Sequence, residues 1–140
     1  MALTIYCDGL CEPRNPGGYG CWAWIAFDEQ GQELESCCGC LGHGPTMTNN
    51  IAEYEAVIRA LSWATEHGAI GVIVRTDSQL AVNQINGSWR INKPHLASLA
   101  EKARPLLTAL QGQLEWVPRE QNTRADATSH KAYQTALQQR

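Results

Sequence analysis

The stretch TMTNNIAEYEAVIRALSWA, residues 46–64, runs from a cluster of polar and amide side chains directly into an amphipathic segment. Its larger apolar side chains recur at helical spacing: Ile51, Tyr54, Ile58 and Leu61. Such spacing predicts a helix with one face packed against a core. Glu53 lies in the first predicted turn, at the rim of the packed face. Asn50 and Glu53 also match a capping box, so this stretch alone favours a structural role for Glu53.

The 140-residue chain has the composition of a folded globular protein, with 44% hydrophobic and 18% charged residues. Its length predicts one domain over residues 1–140. No apolar run approaches the roughly 20 residues that span a bilayer, and no basic segment precedes a long apolar core at the N-terminus. These features predict a cytoplasmic protein without membrane association. The net charge of -3 argues against strong non-specific binding to nucleic acid, although it permits a local groove that contacts phosphates.

Six cysteines raise the alternatives of disulfides, a metal site or free thiols. Without an export signal, reduced thiols are the default expectation. Cys37, Cys38 and Cys40 form a cluster, but two liganding pairs at the usual spacing are missing, which disfavours zinc. On a strand, Cys38 and Cys40 would share one face and Cys37 the other, as small buried side chains do.

The order of the predicted elements indicates an α/β fold. The predicted strands cover residues 3–8, 19–28, 32–41, 70–76 and 114–117. After the first helix, which ends at 67–68, further helices are predicted at 79–85, 95–110 and 126–138. Pro105 is expected to kink or divide the third helix. A three-stranded meander, followed by alternating helices and strands, predicts a five-stranded mixed sheet flanked by helices.

Two acids, Asp8 and Asp77, directly end predicted strands. A crossover helix allows those strands to lie parallel and adjacent, which would bring both acids to a sheet edge where sites form in α/β folds. Glu53 and Asp126, each in the first predicted turn of a helix, complete a cluster of four carboxylates. Like charges within about 4 to 6 Å raise one another's pKa, so such a cluster calls for a divalent cation. Oxygen ligands suit Mg²⁺ or Mn²⁺, and two such ions can stabilise both oxygens of a phosphoryl displacement.

Five motifs, in order along essentially the whole chain, resemble those of the ribonuclease H type 1 family. They are YCDG at 6–9, NPGG at 15–18, TNNIAEY at 48–54, TDSQ at 76–79 and REQNTRAD at 119–126. The resemblance implies the ribonuclease H-like fold. It also implies a metal-dependent endoribonuclease that cuts the RNA strand of RNA/DNA hybrids by a two-metal-ion mechanism, leaving 5′-phosphate and 3′-hydroxyl ends.

The resemblance further implies roles for single residues. Four match the carboxylates that hold two Mg²⁺ ions, with Mn²⁺ as an alternative: Asp8, Glu53, Asp77 and Asp126. Six match positions that contact the hybrid: Asn15, Thr48, Asn49, Asn50, Gln79 and Trp89. Amides suit a 2′-hydroxyl because both groups donate and accept hydrogen bonds. The alternatives are a turn residue for Asn15, a helix cap for Asn50 and a lid over the core for Trp89.

The chain departs from the family pattern in two loops. Residues 86–94 are too few and too weakly basic for the protrusion of many members, which indicates the compact subgroup, although Arg90 and Lys93 are candidates for phosphate contacts. The loop before Asp126 lacks a His that is thought to assist product release in the family. Arg119 and Glu120 are candidates to replace that His.

The last predicted helix carries a further departure. His130 lies four residues after Asp126 and hence on the same helical face, where it can hydrogen-bond that carboxylate; an exposed helix His is the alternative. The segment at 128–130, Thr-Ser-His, is more polar than the apolar turn usual in the family. How this helix packs therefore depends on where these polar side chains point.

Two rival functions fit parts of the sequence. A hybrid-binding module with little catalysis would not need all four acids. A metal nuclease or integrase-like phosphoryl transferase with another substrate would not need the amide set. The prediction is a monomer whose partner is an RNA/DNA hybrid duplex, with no obligate protein partner.

Overall fold

The computed structural model describes residues 2–139 as a five-stranded mixed sheet with helices packed on both faces. The strands are β1 (Thr4–Glu12), β2 (Tyr19–Phe27), β3 (Glu33–His43), β4 (Ile73–Thr76) and β5 (Gln113–Trp116). The helices are α1 (Asn49–Glu66), α2 (Gln79–Ile85), α3 (Pro94–Ala109) and α4 (Thr123–Gln138), with a 3₁₀ turn at Arg119–Gln121. The predicted α/β class and the five-stranded mixed sheet are confirmed.

The strand order β3-β2-β1-β4-β5 places β1 and β4 side by side in the middle of the sheet. The first three strands form an antiparallel meander, whereas β4 pairs in parallel with both β1 and β5. Helix α1 makes the crossover from the meander to β4, as parallel neighbours require. The predicted adjacency of the first and fourth strands is confirmed.

The first strand is longer than predicted. It was expected to end at Asp8, but it continues to Glu12 because its second half stays paired with β2, up to the pair Glu12–Tyr19. Its parallel pairing with β4 stops earlier, at the pair Tyr6–Arg75. Asp8 therefore lies just past the parallel part of the ladder, although the strand itself continues.

The start of α1 differs from the predicted capping box. Thr48 is the N-cap, and its Oγ1 accepts a hydrogen bond from the Ile51 N–H at 3.2 Å. Asn50 lies inside the helix, and Glu53 lies beyond the first turn. The alternative of an Asn50–Glu53 capping box is wrong because a hydroxyl two residues earlier, on extended backbone, already satisfies the helix end. Glu53 is thereby left without a capping role.

Two further boundaries differ from the prediction. Strand β4 begins at Ile73 rather than at Ile70, because Gly71 adopts a φ of 81° and turns the chain, while its N–H donates to the Leu110 carbonyl at 2.7 Å. Helix α4 begins at Thr123, three residues earlier than predicted, and Asp126 lies in its first turn.

Helix α3 continues through Pro105 and is not divided. Pro105 has no N–H to donate to the Glu101 carbonyl. Because Pro105 and Glu101 are both exposed, a water molecule can donate to that carbonyl instead. Residues 86–93 are all that connects α2 to α3, which confirms the prediction that this connection holds no long protrusion.

The sheet separates a large core from a small one. The large core lies between the sheet and helices α1 and α3; the small one centres on Leu10, Cys21 and Ala132, beneath α4. Strand β3 is an exposed edge, so the prediction of burial is wrong for Cys37 and Cys40. All six cysteines are free thiols. Within residues 2–139, no helix is long and apolar enough to cross a membrane.

Candidate active site

Three carboxylates meet where β1, β4 and α1 come together. Asp8 on β1, Glu53 on α1 and Asp77, directly after β4, each offer an oxygen within 4.8 Å of the others. Asp8 and Glu53 are only 4% and 7% exposed. The acids converge because β1 and β4 are parallel neighbours and α1 crosses directly over β1. This group is called the acidic group below.

The backbone of α1 approaches β1 closely at Gly9. A Cβ at this position would lie closer than 3.0 Å to the Ala52 carbonyl carbon, so glycine permits the contact. The Gly9 N–H donates to Glu53 Oε1 at 3.2 Å, and Thr76 Oγ1 lies 3.2 Å from Glu53 Oε2 as a donor. Glu53 is thus held between β1 and β4, with a hydrogen bond at each oxygen.

The fourth predicted acid lies beside this group rather than within it. Asp126 lines the same cleft from the first turn of α4, next to Asp8, but is not among the three acids within 4.8 Å of one another. Further polar side chains line the cleft: Asn15, Asn49, Arg119 and His130.

Burial and mutual repulsion disfavour the charged forms of the acidic group. The pKa of Asp8 is raised from 3.8 to about 8, first by burial and then by the charge of Asp77, while a hydrogen bond from Ser129 opposes the shift. Burial, with Asp8 and Asp77, raises the pKa of Glu53 well above its ordinary value. Burial also raises the pKa of Asp77, although a hydrogen bond with Asp8 and the charge of Arg119 oppose it. A divalent cation would relieve this repulsion, and an all-oxygen donor set fits Mg²⁺ or Mn²⁺.

Two buried side chains that the sequence reasoning missed attach α4 to β1. Asn122 Nδ2 donates to the Cys7 carbonyl at 2.9 Å, and Ser129 Oγ lies 2.8 Å from Asp8 Oδ2. The polar segment 128–130 packs against β1 through Ser129, whose buried hydroxyl is a donor. The signal in the sequence was its position three residues after Asp126, on the same face of one helix.

The structure places the predicted hybrid-contact residues as follows. Asn15 and Asn49 are joined by two hydrogen bonds at the rim of the cleft. Asn50 is half-buried in α1, and Gln79 is exposed as the first residue of α2. Trp89 is 47% exposed, in the connector between α2 and α3.

Of the predicted auxiliary residues, Arg119 and His130 line the cleft and Glu120 does not. Arg119 Nε lies 4.0 Å from Asp77 Oδ2, and its side chain is otherwise exposed. His130 Nδ1 lies 2.9 Å from the Asp126 carbonyl oxygen and 3.5 Å from its Oδ1. Glu120 is exposed on the 3₁₀ turn and does not line the cleft.

Comparison with known proteins matches this arrangement to one family. A family model described as "Reverse transcriptase-like" matches residues 7–132. LC11-RNase H1, whose crystal structure is a complex with an RNA/DNA hybrid, is similar with a TM-score of 0.86 and 32% identity, over 96% of this chain and 99% of that one. The chain belongs to the ribonuclease H type 1 family. The resemblance drawn from the five motifs and the ribonuclease H-like fold are confirmed.

Curated family members also match, although several are longer. Ribonuclease HI of Halobacterium salinarum is 42% identical over 135 residues, which cover 96% of this chain and 65% of that protein. The bifunctional protein Rv2228c of Mycobacterium tuberculosis is 36% identical over 140 residues, or 99% of this chain and 37% of that protein. The chain thus spans about one third to two thirds of the length of these two relatives.

Proposed function

We propose that the chain is a metal-dependent endoribonuclease that hydrolyses the RNA strand of RNA/DNA hybrids and leaves 5′-phosphate and 3′-hydroxyl ends. The observation that carries this proposal is the acidic group of Asp8, Glu53 and Asp77, in one cleft with the paired amides of Asn15 and Asn49. The hybrid found with LC11-RNase H1 supports the choice of substrate. Because the chain covers only part of its curated relatives, the activity and partners of a complete protein belong to the same proposal.

Four carboxylates are proposed to hold two divalent ions, Mg²⁺ or Mn²⁺: Asp8, Glu53, Asp77 and Asp126. Such ions would supply Lewis-acid stabilisation of the attacking water oxygen and of the leaving oxygen when a phosphodiester is hydrolysed. The protein contributes by fixing the ligands in advance. The Gly9 N–H and the Thr76 hydroxyl restrain Glu53, so little of its freedom remains to be lost when the site is loaded.

We propose that side-chain amides on the substrate side of the cleft recognise the RNA strand by hydrogen bonds. Asn15, Asn49, Asn50 and Gln79 can each donate to and accept from a 2′-hydroxyl, which the RNA strand has and the DNA strand lacks. This chemistry favours a hybrid over double-stranded DNA. It argues against a phosphoryl transferase that acts on DNA alone.

The DNA strand is proposed to contact Thr48 and Trp89. Thr48 Oγ1 accepts the cap hydrogen bond from Ile51, but the hydroxyl keeps its own hydrogen to donate to a phosphate. The N-terminus of α1 adds the positive end of a helix dipole at this place. Trp89 is exposed in the connector between α2 and α3, where an aromatic ring can line the channel of the DNA strand.

Of the two candidates to replace the loop His, we propose Arg119. It lines the cleft and approaches Asp77, whereas Glu120 does not line the cleft. A guanidinium beside the acidic group can hold a phosphate oxygen. His130 is proposed to orient Asp126 through its contacts with that residue.

We also propose that residues 1–140 act as one domain and as a monomer in the cytoplasm.

Cleavage of one labelled RNA strand tests the proposal. The strand is presented alone, paired to RNA and paired to DNA, each with Mg²⁺, Mn²⁺ or EDTA, and product ends are identified by phosphatase treatment. Cutting of the hybrid alone, silenced by EDTA, is the expected result. Tight hybrid binding without cutting would favour the binding module. Equal cutting of the RNA in all three forms would favour a nuclease of another specificity.

A further inference from the structure

Ser129 lies between two of the acids of the cleft. Its side chain is fully buried, and its Oγ lies 2.8 Å from Asp8 Oδ2 and 2.8 Å from the backbone carbonyl oxygen of Asp126. Asp8 belongs to the central strand β1, whereas Asp126 belongs to the first turn of α4. One buried hydroxyl therefore links the strand that carries one acid to the helical turn that carries another.

We propose that Ser129 is a positioning residue whose hydroxyl holds the Asp8 carboxylate in the orientation that receives a divalent cation. This inference rests on the proposed metal-dependent function and adds a residue that the family motifs do not include. It also assigns a purpose to the polar segment 128–130, which departs from the apolar turn usual in the family.

The proton of Ser129 has two acceptors within reach, and the carboxylate is the stronger. A hydroxyl carries one hydrogen, and a charge-assisted hydrogen bond to a carboxylate is roughly twice as strong as a neutral one. The Asp126 carbonyl is the local acceptor that serines in helices commonly contact, and it also lies 2.9 Å from His130 Nδ1. When Asp8 is ionised, Ser129 therefore donates to Asp8 Oδ2.

This hydrogen bond prepares Asp8 as a ligand. An aspartate side chain rotates about two bonds. If both rotations are restricted only when the cation binds, the lost conformational entropy weakens binding. A buried donor at Oδ2 restricts both rotations beforehand and leaves the lone pairs of Oδ1 available. Because Asp8 is only 4% exposed, water cannot readily replace the donor. Residues that orient a ligand in this way typically change metal affinity or activity by 10 to 100-fold when removed.

Two matched substitutions isolate the hydroxyl. Ser129→Ala removes one oxygen and keeps a small side chain of high helix propensity at a buried position. Thr128→Ala removes the neighbouring hydroxyl, which donates to the Arg124 carbonyl within the same helix at 2.7 Å and, among residues 2–139, makes no hydrogen bond to an acid. A general weakening of α4 would affect both variants, whereas a positioning role belongs to Ser129 alone.

The deciding experiment measures cation binding without nucleic acid. Wild type, Ser129→Ala and Thr128→Ala are titrated with MnCl₂ by calorimetry, and thermal unfolding is recorded in EDTA. We expect about 10-fold weaker binding for Ser129→Ala and unchanged binding for Thr128→Ala. Equal affinity of Ser129→Ala and wild type would overturn the proposal, as would an equal loss in both hydroxyl variants.

Activity on the hybrid supplies a second readout. Ser129→Ala should lower kcat at limiting Mg²⁺, leave KM for the hybrid unchanged and recover as Mg²⁺ is raised. A rise in KM with kcat unchanged would instead indicate a substrate contact and contradict the positioning role. If wild type binds Mn²⁺ but cuts no hybrid, the proposed function fails, whereas the role of Ser129 is still decided by the cation affinities.

Discussion

Asn15 and Asn49 hold each other across the rim of the cleft. Asn15 Nδ2 donates to Asn49 Oδ1 at 2.7 Å, and the Asn49 backbone N–H donates to Asn15 Oδ1 at 3.0 Å. Asn15 belongs to the loop after β1, and Asn49 is the first residue of α1. A primary amide has two donor hydrogens and two acceptor lone pairs, so each side chain keeps capacity for a substrate while paired.

Loss of either amide should weaken turnover of the hybrid. Asn49→Ala is expected to lower kcat/KM by about 10-fold, because it removes the proposed substrate contact and the acceptor that orients Asn15. Asn15→Ala should act similarly, and the double variant should lose less than the product of the two effects, since each amide supports the other. Initial rates on a hybrid give all three values. An unaltered kcat/KM for Asn49→Ala would refute its substrate role.

Asp8→Asn should abolish Mg²⁺-dependent turnover while the fold stays intact. The substitution keeps the size of a buried side chain and leaves an oxygen that can accept from Ser129, but it removes the charge that a cation needs. We expect a loss of at least about 100-fold in kcat. Above about pH 8, where Asp8 is ionised in the metal-free protein, the free energy of unfolding in EDTA should not fall, because repulsion with Asp77 is relieved. Retained turnover would remove Asp8 from the metal site.

The stability of the metal-free protein should fall as the pH rises. The pKa of Asp8 is about 8 in the folded chain, against an ordinary value of 3.8. The folded state therefore binds this proton more tightly than the unfolded state does. Its contribution to stability is fully present below about pH 4 and is lost as the pH rises through about 8. Glu53 contributes with the same sign, because its pKa is also raised.

Urea unfolding in EDTA between pH 5 and pH 8 checks this expectation. The free energy of unfolding should decrease by a few kcal/mol, an order of magnitude that follows from linkage. Asp8→Asn should flatten the dependence, and Mg²⁺ should restore stability most strongly at the alkaline end. A metal-free stability that rises over this range would show that the acids are not crowded together in solution.

The convergence of Asp8 and Asp77 could be predicted because it follows from the strand order. Asp8 and Asp77 follow the paired parts of two parallel strands, and an α/β crossover places such strands side by side. Glu53 could be included because the 3.6-residue period puts it beside the packed face of α1. The positions of these three acids follow from residue spacing and from the order of strands and helices, and both can be determined from the sequence.

Other features depend on contacts that no local pattern encodes. Thr48 and Asn50 are both good N-caps, and the helix start at Thr48 is compatible with the pairing of Asn15 and Asn49. Ser129 was recognised only as an unusual polar residue, because its partner Asp8 lies 121 positions away along the chain. Gly9 falls just after the strand predicted over residues 3–8, yet it lies inside β1 beneath α1.

Gly9→Ala is therefore expected to cost both stability and activity. The added Cβ would meet the backbone of α1 at Ala52 and Glu53, which cannot move aside as a side-chain tip can. Overpacking of this kind costs about 1 to 3 kcal/mol or more. The clash also bears on Glu53, because the Gly9 N–H is one of its two hydrogen-bond donors. Urea unfolding and kcat on the hybrid measure the two effects separately.

Gly20→Ala is the matched control for this last substitution. Gly20 also lies in a strand of the meander, and a Cβ there would also come within 3.0 Å of another atom, but those atoms belong to the flexible side chain of Met47. Met47 can move by changing rotamer, so Gly20→Ala should cost less stability and leave kcat nearly unchanged. If the two variants lose the same stability and the same kcat, the close approach of α1 to β1 does not position Glu53. A selective loss of kcat in Gly9→Ala would instead tie that approach to the acidic group.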